Sequence, residues 1–74
     1  MKGVDSMLSQ KVIQYDNANY DNYITITTND NGITAYTYCK NDSVVKTTFN
    51  KYSFIEYLKG TNVRQKYIKE IERS

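Results

Sequence analysis

In the middle of the chain, two stretches alternate with a period of two between larger and smaller, or apolar and polar, side chains, and a third predicted strand follows them. They are YITITT at 23–28, ITAYTYCK at 33–40 and SVVKTTF at 43–49. This alternation is typical of β-strands, and Asn31-Gly32 and Asn41-Asp42 between the stretches tolerate the positive φ that tight hairpins need. The pattern predicts a three-stranded antiparallel meander.

The segment before the meander has helical spacing. A short helix over residues 6–14 is predicted from apolar residues at intervals of one helical turn: Val4, Met7, Leu8 and Val12. Asp5 or Ser6 can cap its start by accepting an amide hydrogen bond. The stretch KVIQY at 11–15 is also compatible with a strand, so the prediction depends on the earlier residues.

Two helices are predicted after the meander. Asn50 or Ser53 can cap the first, and Ser53 with Glu56 fits the capping box S-x-x-E. Gly60 is expected to end that helix in a left-handed conformation. The apolar stripe of this first helix is Phe54, Ile55 and Leu58.

The second of these helices is expected to start at Thr61 or Asn62. Its apolar side is Val63, Tyr67, Ile68 and Ile71, and its other positions are mostly charged. The predicted order is α-β-β-β-α-α, which is a single α+β domain over residues 1–74.

The loop at Asn31-Gly32 decides which side chains share a face of the sheet. A two-residue loop pairs Ile26 with Thr37, and a four-residue loop keeps the same faces. One predicted face carries Ile24, Ile26, Ala35, Cys39 and Val44. The other carries Tyr23, Tyr36, Tyr38, Val45 and Phe49. Tyr36 and Tyr38 are then either a core under a helix or a contact surface, and both interpretations stay open.

Composition limits the size of the core. The 74 residues are 39% hydrophobic, and eight tyrosines supply most of the aromatic mass. A domain of this size buries roughly 60% of its unfolded surface. Because so few apolar residues form only a thin core, a homodimer or an obligate partner would add buried surface. No apolar run is long enough to span a membrane, and the single Cys39 excludes an internal disulfide and a multi-cysteine metal site. A bacterial cytoplasm is therefore expected.

Enzymatic chemistry is not expected from these residue types. The chain has no histidine, which is the commonest general base. Cys39 lies in the middle of a predicted strand, where a thiol is usually an inert apolar group. The cluster Asp16, Asn19 and Asp21 lacks the spacing and glycine of a calcium loop. We expect no catalytic residue, no cofactor and no metal.

Charge is uneven along the chain. Residues 1–39 carry a net charge of −2 and residues 40–74 a net charge of +4. A solvated surface explains most charge runs, but nucleic-acid binding is the alternative. The candidate residues for that alternative are Lys40, Lys46, Lys51, Lys59, Arg64, Lys66 and Lys69.

The stretch from Ile33 to Gly60 supports this alternative through a resemblance. It has a strand with alternating aromatic residues, a tight turn, a basic strand, a phenylalanine and a helix. The matching residues are Tyr36, Tyr38, Lys40, Lys46, Phe49, Lys51, Tyr57 and Leu58. In this order it resembles the arm-binding domain of tyrosine integrases, which implies a sheet laid against DNA.

A second resemblance concerns the whole layout. The motif Asn29-Asp30-Asn31-Gly32, placed in a meander between a helix and C-terminal helices, is similar to small anti-CRISPR proteins. That resemblance implies a phage or mobile-element protein that binds and inhibits or modulates a host nucleic-acid-processing or defence enzyme. Tyrosine suits such interfaces because it buries a large area at low entropic cost. The predicted partner-binding residues are Tyr20, Asp21, Tyr23, Tyr36, Tyr38 and Lys40.

Overall fold

A computed structural model describes residues 7–74 as a four-stranded antiparallel sheet followed by two helices. The strands are β1 (Met7–Ile13), β2 (Tyr23–Asn29), β3 (Thr34–Lys40) and β4 (Ser43–Thr48), and the helices are α1 (Lys51–Lys59) and α2 (Gln65–Glu72). The strands lie in sequence order, so β1 and β4 form the two edges. The α+β class is confirmed, and the meander has one strand more than predicted.

The predicted N-terminal helix is wrong, because Met7–Ile13 is the strand β1. Val12 pairs with Thr25 and Ile13 pairs with Ile24, so pairing with β2 satisfies the backbone of this segment. The β-branched side chains of Val12 and Ile13 favour that choice. The predicted caps Asp5 and Ser6, together with Val4, lie outside the described residues.

The hairpin between β2 and β3 has a three-residue loop rather than a loop of two or four residues. The amide of Asn29 donates to the carbonyl of Ile33 at 3.0 Å, and Asn29 Oδ1 accepts from the amides of Asn31 and Ile33. Gly32 has φ 81°, a conformation that glycine adopts without steric cost. This geometry matches the three-residue hairpin with glycine in the left-handed position.

The odd loop length changes the register by one residue and corrects the predicted faces. Ile24 pairs with Tyr38 and Ile26 pairs with Tyr36, so the two isoleucines and the two tyrosines share one face. The opposite face carries Tyr23, Ala35 and Cys39 together with Thr25, Thr27 and Thr37. A slip of one residue exchanges the two faces of a strand, which is what separates prediction from structure here.

The hairpin between β3 and β4 follows the prediction at its turn. Asn41 and Asp42 both have positive φ, and Cys39 pairs with Val44 as expected. The register then shifts, so that Tyr38 pairs with Lys46 instead of the predicted Val45. The extra residue in β4 is a β-bulge.

The two helices cover the face that holds Tyr36 and Tyr38. Rings of Tyr36 and Phe54 lie 5.7 Å apart, and those of Tyr38 and Tyr57 lie 5.7 Å apart at an angle of 68°. The remaining members of the buried cluster come from both layers: Ile13, Ile24, Ile26, Ile55, Leu58, Val63, Ile68 and Ile71. The protein is therefore a two-layer structure with one sheet face covered and the other open.

The ends of the helices differ partly from prediction. Asn50 is the N-cap of α1, and its side chain accepts from the amide of Ser53 at 2.9 Å. Gly60 has φ −90°, so it is not left-handed; the Thr61 hydroxyl instead donates to the carbonyl of Leu58 at 2.7 Å. The second helix starts later than predicted, at Gln65, after Arg64 in an extended conformation.

Candidate binding surfaces

Tyr36 and Tyr38 belong to the core. Their side chains are 6% and 5% exposed, and they lie between the sheet and α1. Tyr38 is also stacked on Tyr15 at 5.4 Å. Of the two interpretations left open by the sequence, the structural one holds, and these two tyrosines are not available to a partner.

The other predicted partner-binding residues lie together at one end of the sheet. Tyr20, Asp21 and Lys40 are exposed there. Tyr23 is half-buried, and its hydroxyl donates to Asp42 Oδ1 at 2.8 Å. This hydrogen bond, with a smaller contribution from burial, raises the pKa of Tyr23 to about 12. Their role in partner binding stays a prediction.

This end is held together by Asn22, which is 8% exposed. Its Nδ2 donates to Asp16 Oδ2 at 3.0 Å, and its Oδ1 accepts from the amide of Asn41 at 2.8 Å. The amide of Asp42 donates to the carbonyl of Asp21 at 2.7 Å. The β1–β2 loop and the β3–β4 turn are thus joined by hydrogen bonds into one polar unit.

A cleft of about 380 Å³ opens beside this unit. We call it the loop-end cleft, and its lining is Tyr15, Asp16, Asn17, Ala18, Asn22, Lys40, Asn62, Arg64 and Tyr67. The residues come from the β1–β2 loop, the end of β3, the α1–α2 connection and the first turn of α2. Its size falls within the range of sites for small molecules.

The basic residues proposed for nucleic-acid binding are spread over several parts of the fold. Lys40 and Arg64 share the loop-end cleft. Lys46 lies on the helix-covered side of β4, with Nζ 5.8 Å from the centre of the Tyr57 ring. Lys51 donates to the carbonyls of Glu72 and Ser74 at the end of α2.

The remaining basic candidates belong to the two helices. Lys59 pairs with Glu56 at 2.9 Å, and Lys66 lies 4.9 Å from the centre of the Tyr67 ring. Lys69 is in the last turn of α2. The basic run from residue 59 to residue 69 is thus divided between two helices and the connection that joins them.

The largest concentration of exposed apolar side chains lies along β4. Val44, Val45, Phe49 and Tyr52 are 65%, 50%, 69% and 75% exposed. They occupy β4, the residue that follows it and the first turn of α1, and we call them the β4-edge patch. Among the described strands, β4 pairs only with β3, which leaves its outer backbone groups free.

Two observations on residues 7–74 concern the thiol and possible metal ligands. Cys39 is buried, and this burial raises the pKa of its thiol, which disfavours the reactive thiolate form. Within residues 7–74, no group of three or more His, Cys, Asp or Glu side chains is arranged to hold a metal ion. In the same range, no helix is both long and apolar enough to cross a membrane.

The chain matches no protein-family model, no curated protein and no solved structure. Its function must therefore be argued from its own surfaces.

Sequence reasoning did not single out either of these surfaces. Tyr52 lies outside the apolar stripe of α1, a signal that its ring is not part of the core. The alternation predicts Phe49 and Val45 on the same face as Tyr36 and Tyr38. Since that face is the covered one, the prediction does not indicate that Phe49 and Val45 are exposed. The loop-end cleft is lined by Lys40 and Arg64 from distant parts of the chain, and no local pattern in the sequence indicates that they share a site.

Proposed function

We propose that the protein is a small non-enzymatic binding protein that pairs with a partner protein at its β4 edge. The observation that carries this proposal is the β4-edge patch, because four large apolar side chains lie exposed beside a strand edge that pairs with no other strand of residues 7–74. Exposed apolar patches of this kind are characteristic of protein interaction sites. An open strand edge binds an extended segment of another protein through main-chain hydrogen bonds.

The patch and the edge supply different parts of the recognition. Outer backbone groups of β4 provide affinity for any extended chain, while Val44 and Phe49 near its two ends favour apolar side chains on the partner. The bulge at Val45 and the charge of Lys46 limit the edge, since both features discourage unspecific pairing of strands. The combination favours one complementary segment over general aggregation.

The identity of the partner remains the prediction made from the sequence. On that hypothesis, a phage or mobile-element protein would inhibit or modulate a host nucleic-acid-processing or defence enzyme. It rests on the resemblance in layout to anti-CRISPR proteins, and that layout included an N-terminal helix where the structure has β1. A second copy of the chain is the other partner to be tested.

The experiment compares two double variants of the immobilised protein in a bacterial lysate. Phe49→Ser with Tyr52→Ser removes the aromatic part of the patch, and Val12→Ser with Ile33→Ser removes exposed apolar groups elsewhere. We expect the first variant to lose the captured protein and the second to keep it, with both thermal midpoints near that of the wild type. Equal capture by both variants would contradict the proposal.

Strand addition can then be distinguished from contact by side chains alone. In the complex, hydrogen exchange of the outward amides of β4 should slow, whereas the amides of β1 at the opposite edge should be unchanged. Sedimentation over a range of concentrations separates pairing with a second copy from binding to another protein. Slower exchange at β1 instead of β4 would place the partner at the β1 edge and contradict the proposal.

Nucleic-acid binding is the alternative that the sequence raised. The dispersed placement of the basic side chains gives it less support than a continuous basic stripe would. It is tested by fluorescence anisotropy with duplex and single-stranded DNA at about 50 and about 200 mM salt, where phosphate contacts appear as a steep loss of affinity. Strong binding that collapses at the higher salt would favour this alternative over the β4 edge.

A further inference from the structure

The loop-end cleft holds two cationic side chains that form no ion pair with an acidic residue of the described range 7–74. Among residues 7–74, the ion pairs are Lys11 with Glu70 and Lys59 with Glu56, so neither Lys40 nor Arg64 belongs to one. The two residues come from different elements, the end of β3 and the N-cap of α2. Their meeting in one concave site gives it a local positive potential that favours anions.

Asp16, the acidic residue in the lining of the cleft, accepts hydrogen bonds from its own loop. Asp16 Oδ1 accepts from the amide of Ala18 at 2.9 Å, and Asp16 Oδ2 accepts from Asn22 Nδ2 at 3.0 Å. Both carboxylate oxygens therefore serve the conformation of the β1–β2 loop. Asp16 fixes the wall of the cleft without a hydrogen bond to Lys40 or Arg64, and the two basic residues with this one acid give the lining a net charge of +1.

The walls of the cleft are held in place by hydrogen bonds within the protein itself. Asn22 is buried and binds both the loop and the turn, as described above. The Tyr15 hydroxyl donates to the carbonyl of Cys39 at 2.9 Å, which fixes a second wall. A site with a fixed frame loses less entropy on binding than a mobile one.

The chemistry of the lining indicates the class of ligand. Arg64 can donate two parallel hydrogen bonds to an oxyanion, and Lys40 adds a compact charge. Asn17 and Asn62 add amide groups, and the half-buried rings of Tyr15 and Tyr67 add apolar area. No side chain caps α2 at this position, so its positive end also faces an anion favourably.

We propose that the loop-end cleft binds a small phosphate-bearing ligand, with Lys40 and Arg64 on the phosphate and the tyrosine rings beside the rest of the molecule. This site is separate from the β4-edge patch and does not depend on the function proposed for that patch.

The test uses the full chain and amide-resolved NMR titration with three probes: inorganic phosphate, adenosine monophosphate and adenosine. We expect adenosine monophosphate to bind with a dissociation constant of about 1 mM or tighter and to shift amides around Asp16, Lys40 and Arg64. Saturable shifts with inorganic phosphate as well would assign the recognition to the phosphate group alone. Adenosine should bind far more weakly than its monophosphate.

A pair of charge-matched variants locates the site. Lys40→Gln with Arg64→Gln should weaken binding of adenosine monophosphate by about tenfold or more, since charge-assisted hydrogen bonds are lost. Lys59→Gln with Lys69→Gln removes the same charge from residues outside the cleft and should bind as the wild type does. Circular dichroism confirms the fold of each, and Arg64→Gln alone replaces the double variant if that one is unfolded.

Two results would overturn the proposal. One is the absence of saturable shifts at the cleft with either phosphate-bearing probe. The other is an equal loss of affinity in both charge-matched variants, which would mean that the anion is attracted by the net charge of the protein and not by this site.

Discussion

The two faces of the sheet are made from the same strands, but the helices cover only one of them. The covered face holds Ile24, Ile26, Tyr36 and Tyr38 beneath α1 and α2, and the open face holds Thr25, Thr37 and Thr47 in one row across the sheet. Threonine suits an open face because it is β-branched and carries a hydroxyl that water can solvate. The difference shows that Tyr36 and Tyr38 serve this protein as core residues and not as a contact surface.

Removing a tyrosine from the covered face should cause the largest loss of stability. Tyr38→Ala deletes a ring in contact with Tyr15 and Tyr57 and should lower the free energy of unfolding by about 3 kcal/mol or more. On the open face, the hydroxyl oxygens of its neighbour Thr37 and of Thr47 are 3.4 Å apart. Thr37→Ala should lower the free energy of unfolding by about 1 kcal/mol or less. Urea denaturation measures both, and similar losses would mean that the faces do not differ in this way.

The loop that sets the register can be tested through its glycine. Gly32→Ala should cost about 1 kcal/mol, since alanine is strained at φ 81° although no atom lies within 4 Å of the added methyl group. Gly60→Ala is the matched control, because φ is −90° there and the methyl group would meet only the Tyr57 carbonyl at 3.5 Å. The control should change the thermal midpoint little; a larger loss at Gly60 than at Gly32 would contradict this account.

The start of the helix that covers the face has two candidate caps. Asn50→Ala should lower the free energy of unfolding by about 1 kcal/mol, because the Ser53 amide loses its acceptor. Ser53→Ala should have almost no effect, since that side chain does not cap the helix. Denaturation of both variants decides between them, and the reverse ranking would restore Ser53 as the cap.

A tyrosine on the open face gives the smallest and most specific effect. Tyr23 should titrate near pH 12 instead of its ordinary value of 10.0. Its neutral form is favoured in the folded protein, so the resulting stability is present below pH 10 and is lost as the pH rises through 12. Titration followed by NMR of the tyrosine ring checks the value.

Asp42→Gly sharpens that measurement. Glycine keeps the positive φ of this turn position while the acceptor and its charge disappear, so the pKa of Tyr23 should fall towards 10. An unchanged pKa would assign the shift to burial instead of to the hydrogen bond.

Local patterns predicted the parts of the fold that depend on neighbouring residues. The three central strands, the Asn41-Asp42 turn and the apolar stripe of α1 follow from alternation, positive-φ residues and helical spacing. β1 could not be assigned in this way, because its short apolar pattern fits a helix as well as a strand. Only the pairing of Val12 and Ile13 with a strand ten or more residues away decides the matter.

The faces were mispredicted because they depend on a single residue of loop length. Asn29 rather than Asp30 closes the hairpin, and its side chain holds two loop amides. Sequence alternation alone is the same for both registers. The loop-end cleft is harder still, because Lys40 and Arg64 line the same cleft only once the connection between the helices lies beside the sheet.

The order of the strands in the sheet has a kinetic consequence. Each strand pairs with the next one along the chain, so every sheet contact forms by closing a short loop. The chain also has no proline, which removes the slow isomerisation that delays many small proteins. We expect refolding to be rapid and to follow a single exponential, with the helices docking onto a sheet assembled from successive hairpins.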